Sequence, residues 1–165
     1  MFERLNTPEE VFTFKLGAAL QMENEIIDAL AELDEKAQRD ELKQSIRQHA
    51  QETRRHVENV EQCFRLLGVE VDDSPCPAIE GLKSEAKATI KKADDAVVDV
   101  LILSAITETE HHEIAVYENL ITAAESRGAG EVVTLLRENL QSEQQTLEQA
   151  KQTSQQVLRE FAPVS

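Results

Sequence analysis

The chain has 165 residues, 41% of them apolar, which suits one domain with a sizeable core. A formal net charge of −15 speaks against nucleic acid, whose binding relies on Lys and Arg meeting phosphates, and against anionic membrane surfaces. Its two cysteines, Cys63 and Cys76, form no C-x-x-C, so neither a zinc motif nor a disulfide framework is expected.

Aromatic residues make up only 4%, with five Gly and four Pro, and the remainder is rich in Ala, Glu, Gln, Leu and Lys, a composition that favours helix throughout. The longest apolar run falls well short of the roughly 18 residues a membrane span needs. The opening "MFERLNTPEE" lacks a basic stretch followed by an apolar one, so the cytoplasm is the expected location.

The first long helix is predicted to start at Thr7-Pro8-Glu9-Glu10. Thr7 can cap, Pro8 suits the first helical position and Glu10 completes a capping box. Phe12, Leu16, Leu20, Ile26, Ile27, Leu30 and Leu33 then recur at helical spacing to about Lys36. A second helix restarts near Asp40, with Leu42, Ile46, Val57, Val60, Phe64 and Leu67 on its stripe and Gly68 as its C-terminal stop. "VEVDDSPCPAIEG" is the clearest irregular segment, and "AIEGLKSEAKATIKKA" reads as a short helix. Asp94-Asp95 can cap a third long helix running to about Ser126. "RGAG" is a turn, a fourth long helix covers about Glu131 to Glu160, and Pro163 closes the chain. Short turns make the first two helices antiparallel neighbours, and likewise the last two. The roughly 26 residues between the second and third allow a return along the bundle. The predicted fold is an all-α, ferritin-like up-down four-helix bundle with one long crossover that carries the short extra helix.

Each long stripe is interrupted near its middle by polar residues. The interruptions are Glu23 on the first helix, His49, Glu52, Thr53 and His56 on the second, Glu110 and Glu113 on the third, and Glu143 on the fourth. Midpoints fall near Met22, Thr53, His111 and Gln145. Each acid lies within about three residues of one, so at about 1.5 Å rise per residue they share a layer roughly 4 Å deep either way. A single helical Glu is ordinarily solvated. Five carboxylates crowded into a core are costly, and only a wet and loose bundle, basic partners or metal ions relieve them. Arg54 and Arg55 fall off the inward stripe, and Lys is absent from the central turns, so a di-metal centre fits best. His56, four residues after Glu52, is a candidate nitrogen ligand. His49, His112 and Tyr117 are candidates to support the ligands. His111 is expected to face solvent.

"EHHEIAVY" (110–117), "CPAIEGL" (76–82) and "HAQET" (49–53) resemble motifs of the YciF/YciE-like ferritin-like stress proteins of bacteria, and the resemblance covers nearly the whole chain. It implies a metal-binding bundle related to rubrerythrin, often a homodimer, in a family associated with stress responses, and the leading expectation for this chain is a protein that handles iron and reacts with O2 or peroxide. Two divalent metal ions, iron foremost and manganese next, are its implied cofactors. On that reading Glu23 and Glu143 are terminal ligands, Glu52 and Glu110 bridge, His56 supplies nitrogen, and Glu113 ligates in one redox state. The chain departs from the family pattern on the fourth long helix, where Leu147 replaces an Asp and Ser142 a Glu, and on the third, where His112 replaces a Tyr. Two functions are therefore carried forward: a ferroxidase or peroxidase-like oxidoreductase, and a non-catalytic stress-response bundle that has lost its centre and acts as an interaction or structural protein. A helical interaction module with a polar core layer is a third reading.

Overall fold

Five helices account for most of the computed structural model, which describes residues 4–161: α1 Pro8–Lys36, α2 Asp40–Leu67, α3 Pro77–Ile90, α4 Asp95–Ser126 and α5 Gly130–Glu160. Pro163 lies outside the described residues. The capping box of α1 forms as its sequence requires. The Glu10 N–H donates to Thr7 Oγ1 at 3.1 Å and the Thr7 N–H to Glu10 Oε2 at 3.1 Å. α2 ends on Gly68, whose φ of 68° is the left-handed conformation that a Cβ disfavours.

Two helix starts depart from the local sequence signal. Asp94 occupies the cap position of α4, but its side chain makes no cap hydrogen bond. The start of α2 is capped from another helix. Asp99 of α4 accepts the N–H of Gln38 at 2.8 Å and of Arg39 at 3.2 Å, satisfying backbone donors that Arg39 itself cannot serve.

α1 packs on α2 and α4, and α5 packs on α2 and α4, so the four long helices form a ring. Arg39, in the α1–α2 turn, meets Glu160 at the end of α5 at 2.9 Å, and Asp99 near the start of α4 reaches the same turn. Those three points therefore share one end of the bundle, and each ring neighbour is antiparallel to the next. The expected up-down bundle is present, and so is its crossover. From Gly68 the chain passes over Gly17 of α1, where a Cβ would come within 2.7 Å of the Asp72 carbonyl oxygen, so only glycine admits this approach. α3 then lies against α1 and α4 on the outside of the ring, with Ile79 its one buried residue. Among the described residues no helix is long and apolar enough to cross a membrane.

Apolar side chains fill the ring on both sides of its middle: Leu16 and Phe64 toward one end, Ile46, Ile102 and Leu103 toward the other. The middle itself is polar and equally buried. Glu23, Glu113, Thr53, Asn139 and Glu143 have no measurable exposure, and Glu110 has 1%.

Candidate metal centre

Four helices contribute to the polar layer. α1 brings Glu23, α2 brings His49 and His56, α4 brings Glu110 and Glu113, and α5 brings Glu143. His49 and His56 are two turns apart on one face of α2, about 10 Å along its axis, so they flank the layer from either side. Glu110 and Glu113 are one turn apart and both point inward. Their side-chain atoms fall into two groups close enough to hold an ion. One is His49, Glu110, Glu113 and Glu143, and the other is Glu23, His56 and Glu143. Glu143 belongs to both.

The imidazoles approach the carboxylates closely. His49 Nε2 is 2.9 Å from Glu110 Oε1, and His56 Nδ1 is 2.7 Å from Glu143 Oε1 and 3.6 Å from Glu23 Oε2. Yet His56 Nδ1 and Glu143 Oε1 do not meet hydrogen-bond geometry. Both carboxyl oxygens of Glu110, of Glu113 and of Glu143, together with Glu23 Oε2, are buried without a hydrogen-bond partner. Burial without a partner is costly for any polar atom, and it is concentrated here. Glu23 Oε1 is the exception, because it accepts the Tyr117 hydroxyl. The Tyr117 hydroxyl oxygen in turn accepts from the Asn139 amide at 3.0 Å, and Asn139 accepts from Asn59 at 2.8 Å and donates to the His56 carbonyl at 3.2 Å.

Proton affinities record the same crowding. Burial pushes Glu113 well above the usual carboxyl value, and the like charges of Glu143, Glu110 and Glu23 add to it. Burial also raises Glu23, against its His56 contact, and raises Glu110 to about 7, against its contact with His49. Burial opposes the charged form of His56, but the Glu143 and Glu23 carboxylates outweigh it and lift His56 to about 10. His49 is raised too: burial opposes this and Glu110 prevails. Glu143 alone among the acids of the layer is lowered, because against its burial His56 and His49 prevail. Tyr117 is raised by burial first and then by the charge on Glu23, so its hydroxyl stays a donor.

The layer expected from the sequence therefore forms, with one substitution in its membership. Glu23, His56, Glu110, Glu113 and Glu143 come together, and Tyr117 touches Glu23. Glu52 does not join them. It sits about 60° round α2 from His49, off the buried stripe, half exposed, and accepts a hydrogen bond from Gln48 at 3.0 Å beside Arg47 and Arg55. His49 stands in the layer where Glu52 was expected, as a direct member of a donor set and not only a supporting group. The position shared by both groups belongs to Glu143 of α5, not to Glu52 or Glu110. His112 is half-buried away from the layer, with Nε2 4.0 Å from Cys76 Sγ, and His111 is exposed. Asn139, which sequence reasoning missed, lies on the α5 stripe one turn before Glu143. Leu147, at the family's Asp position, is buried.

Donor chemistry fits divalent ions of the first transition row: oxygen from four carboxylates and nitrogen from two imidazoles, all buried between the helices. Fold and side chains together define a class, the helix bundles that carry a buried carboxylate–imidazole layer able to hold a metal ion. The chain belongs to the family described as domain of unknown function DUF892, which matches residues 7–163. It is 31% identical to Protein YciF of Escherichia coli over 144 residues, covering 86% of this chain and 87% of YciF. The crystal structure of the E. coli stress protein YciF superposes with a TM-score of 0.89 at 28% identity, covering 94% of this chain and 99% of that one. YcfI of Rhodopseudomonas palustris superposes with a TM-score of 0.88 at 32% identity, covering 92% and 97%.

Proposed function

We propose that this chain is a ferritin-like di-metal carboxylate protein of stress protection that binds two divalent ions, iron foremost and manganese next, and reacts with O2 or peroxide. The observation supporting it is the set of buried carboxyl oxygens on Glu110, Glu113 and Glu143 that no protein donor satisfies. In this reading Glu143, a member of both donor groups, would serve both ions. His49, Glu110 and Glu113 complete one set of ligands, and Glu23 and His56 the other. Redox-active divalent ions held by these residues would supply the electrons for reduction of O2 or peroxide. The protein's own part is to fix those ligands and exclude water. Tyr117 holds one oxygen of Glu23 and leaves Oε2 free to face an ion. The stress role follows the description of E. coli YciF, and the homodimer follows the family resemblance.

Metal analysis after anaerobic reconstitution tests the binding. The expected result is close to two ions per chain, and under about 0.2 per chain would remove the reading. Aerobic Fe(II) oxidation by wild type against Glu143→Ala tests the chemistry, and equal rates would end the catalytic claim.

One observation favours the non-catalytic alternative. The His56–Glu143 and His49–Glu110 approaches are already ion pairs if the imidazoles are protonated, and they stabilise part of the layer without metal. They leave Glu113 without a cation, and Glu23 only the more distant side of His56 at 3.6 Å. Two imidazoles against four carboxyls is the imbalance that favours metal.

A further inference from the structure

A cavity of about 500 Å³ lies between α1, α3 and α4. Its walls are apolar, built from Ile26, Leu30 and Leu33 of α1, Ile79 and Ile90 of α3, and Ile106 of α4. Its floor reaches His49 and Glu110, two members of the carboxylate–imidazole layer. Its outer lining includes the exposed residues Glu32, Glu35, Lys36, Lys87 and Lys91, so it runs from the surface to the layer. Its size falls within the usual range for sites that take a small organic molecule. α3 seats on the ring through one fully buried side chain, Ile79, with Leu82 and Ile90 partly buried beside it, and the cavity lies beneath it.

The charge around the mouth is unlike the rest of the molecule. The chain carries −15 overall, yet four lysines line this cavity, Lys36, Lys83, Lys87 and Lys91, against Glu32 and Glu35 at its rim. Lys83, Lys87 and Lys91 recur every fourth residue, which keeps them on one side of α3. Lys83 pairs with Glu25, and Lys87 with Glu32 at 3.0 Å, so two of these lysines also tie α3 to α1. Lys36 and Lys91 form no ion pair among the described residues.

We propose that this cavity binds a straight-chain fatty acid, its carboxylate among the lysines at the mouth and its hydrocarbon chain extending inward toward Glu110 and His49. Charge fixes the orientation. A carboxylate at the floor would meet Glu110, whereas at the mouth it meets Lys36 and Lys91. The hydrocarbon replaces water against apolar walls that have no other cover. Binding itself does not depend on the metal reading. Only the significance of a chain end beside the layer rests on it.

The test is titration calorimetry on the full-length, metal-free protein with dodecanoate, dodecanol and dodecyltrimethylammonium. Dodecanoate is expected to bind one per chain, at least about tenfold tighter than the cation. Ala29→Trp on α1 should weaken it by about tenfold or more by filling the cavity, while the circular dichroism and melting temperature stay those of wild type. Ala86→Phe on α3 is the second filling variant should the first misfold. Lys36→Glu with Lys91→Glu should weaken dodecanoate and leave dodecanol unchanged. No saturable binding, equal affinity for the cation, or filled variants that bind like wild type would each overturn the inference. A protein that takes up two metals but no dodecanoate sinks this proposal alone. One that binds dodecanoate but no metal sinks the metal reading alone.

Discussion

The two halves of the buried layer are built differently. On the Glu23 side a chain of hydrogen bonds runs from Asn59 through Asn139 and Tyr117 to one oxygen of Glu23, and Asn139 also holds the His56 carbonyl. Every group in that chain comes from a rigid long helix, and the carboxylate it supports has one oxygen fixed and one free. On the Glu113 side the carboxyl oxygens have no such support, and His49 and Glu110 border the cavity beneath α3. One half is therefore preorganised by hydrogen bonds. The other is held only by charge, next to a space where an exogenous molecule can enter. On the proposed reading, a centre that keeps ions and also admits a reactant would need both kinds of half.

Removing the residue common to both halves should have the largest effect. Glu143→Ala deletes a donor from both groups. Its cost to metal affinity should exceed the about 100-fold that loss of a merely supporting residue can cause. Metal analysis after reconstitution and desalting should fall from about two ions per chain to near none. Retention of a full complement would show that the halves do not share this ligand.

Tyr117→Phe sharpens the contrast, since it frees Glu23 Oε1 and leaves the Glu113 side untouched. A supporting hydrogen bond to a ligand is worth about 10- to 100-fold in affinity, so one ion of the pair should weaken by that amount and the other should not. Stepwise titration with Co(II), followed by absorbance, resolves the two. A uniform loss would mean that Tyr117 acts on the layer as a whole.

The pH dependence should separate metal-free from metal-loaded protein. Glu23, Glu110 and Glu113 have raised values in the folded state, so each contributes full stability below the ordinary 4.5, lost as pH rises through its folded value. For Glu110 that loss runs from 4.5 to about 7. His56 has the same sign, with stability lost as pH rises from 6.5 to about 10. Glu143 is lowered and acts oppositely, losing its contribution only as pH falls below the ordinary 4.5. The metal-free protein should therefore melt at least about 3 °C lower at pH 8 than at pH 5. Metal binding requires deprotonated ligands, so the loaded protein should show the reverse slope. Glu113→Gln, which mimics the protonated acid, should flatten the metal-free curve. Parallel curves with and without metal would show that no ion occupies the layer.

Much of this was legible in the chain. Thr7, Pro8, Glu10 and Gly68 marked ends by local chemistry, and local chemistry survives folding. The common depth of Glu23, Glu110, Glu113 and Glu143 followed from helix length alone, because antiparallel helices keep their midpoints level. What escaped depended on partners distant in sequence. Asp99 caps a helix 60 residues before it, and no window around Arg39 contains that information. Asn139 was visible between Leu136 and Glu143, but Asn on a helix is ordinarily a surface residue. The cavity lies where α3 covers α1 and α4, and no short motif encodes that placement.

Glu52 gives the smallest expected effect and the sharpest test of the assignment. The run Ile46, His49, Thr53, His56, Val60 is itself the buried stripe of α2, and in it the histidines take the places an acid-centred pattern gives to Glu. Glu52 lies beside that run among Gln48, Arg47 and Arg55. Glu52→Ala should change stability by no more than about 0.5 kcal/mol, as surface substitutions do, and leave metal content unchanged. His49→Ala should weaken the ion on the Glu113 side. If Glu52→Ala instead strips metal while His49→Ala retains it, α2 is turned about 60° from the orientation described, and the two halves of the layer would have to be redrawn around a carboxylate.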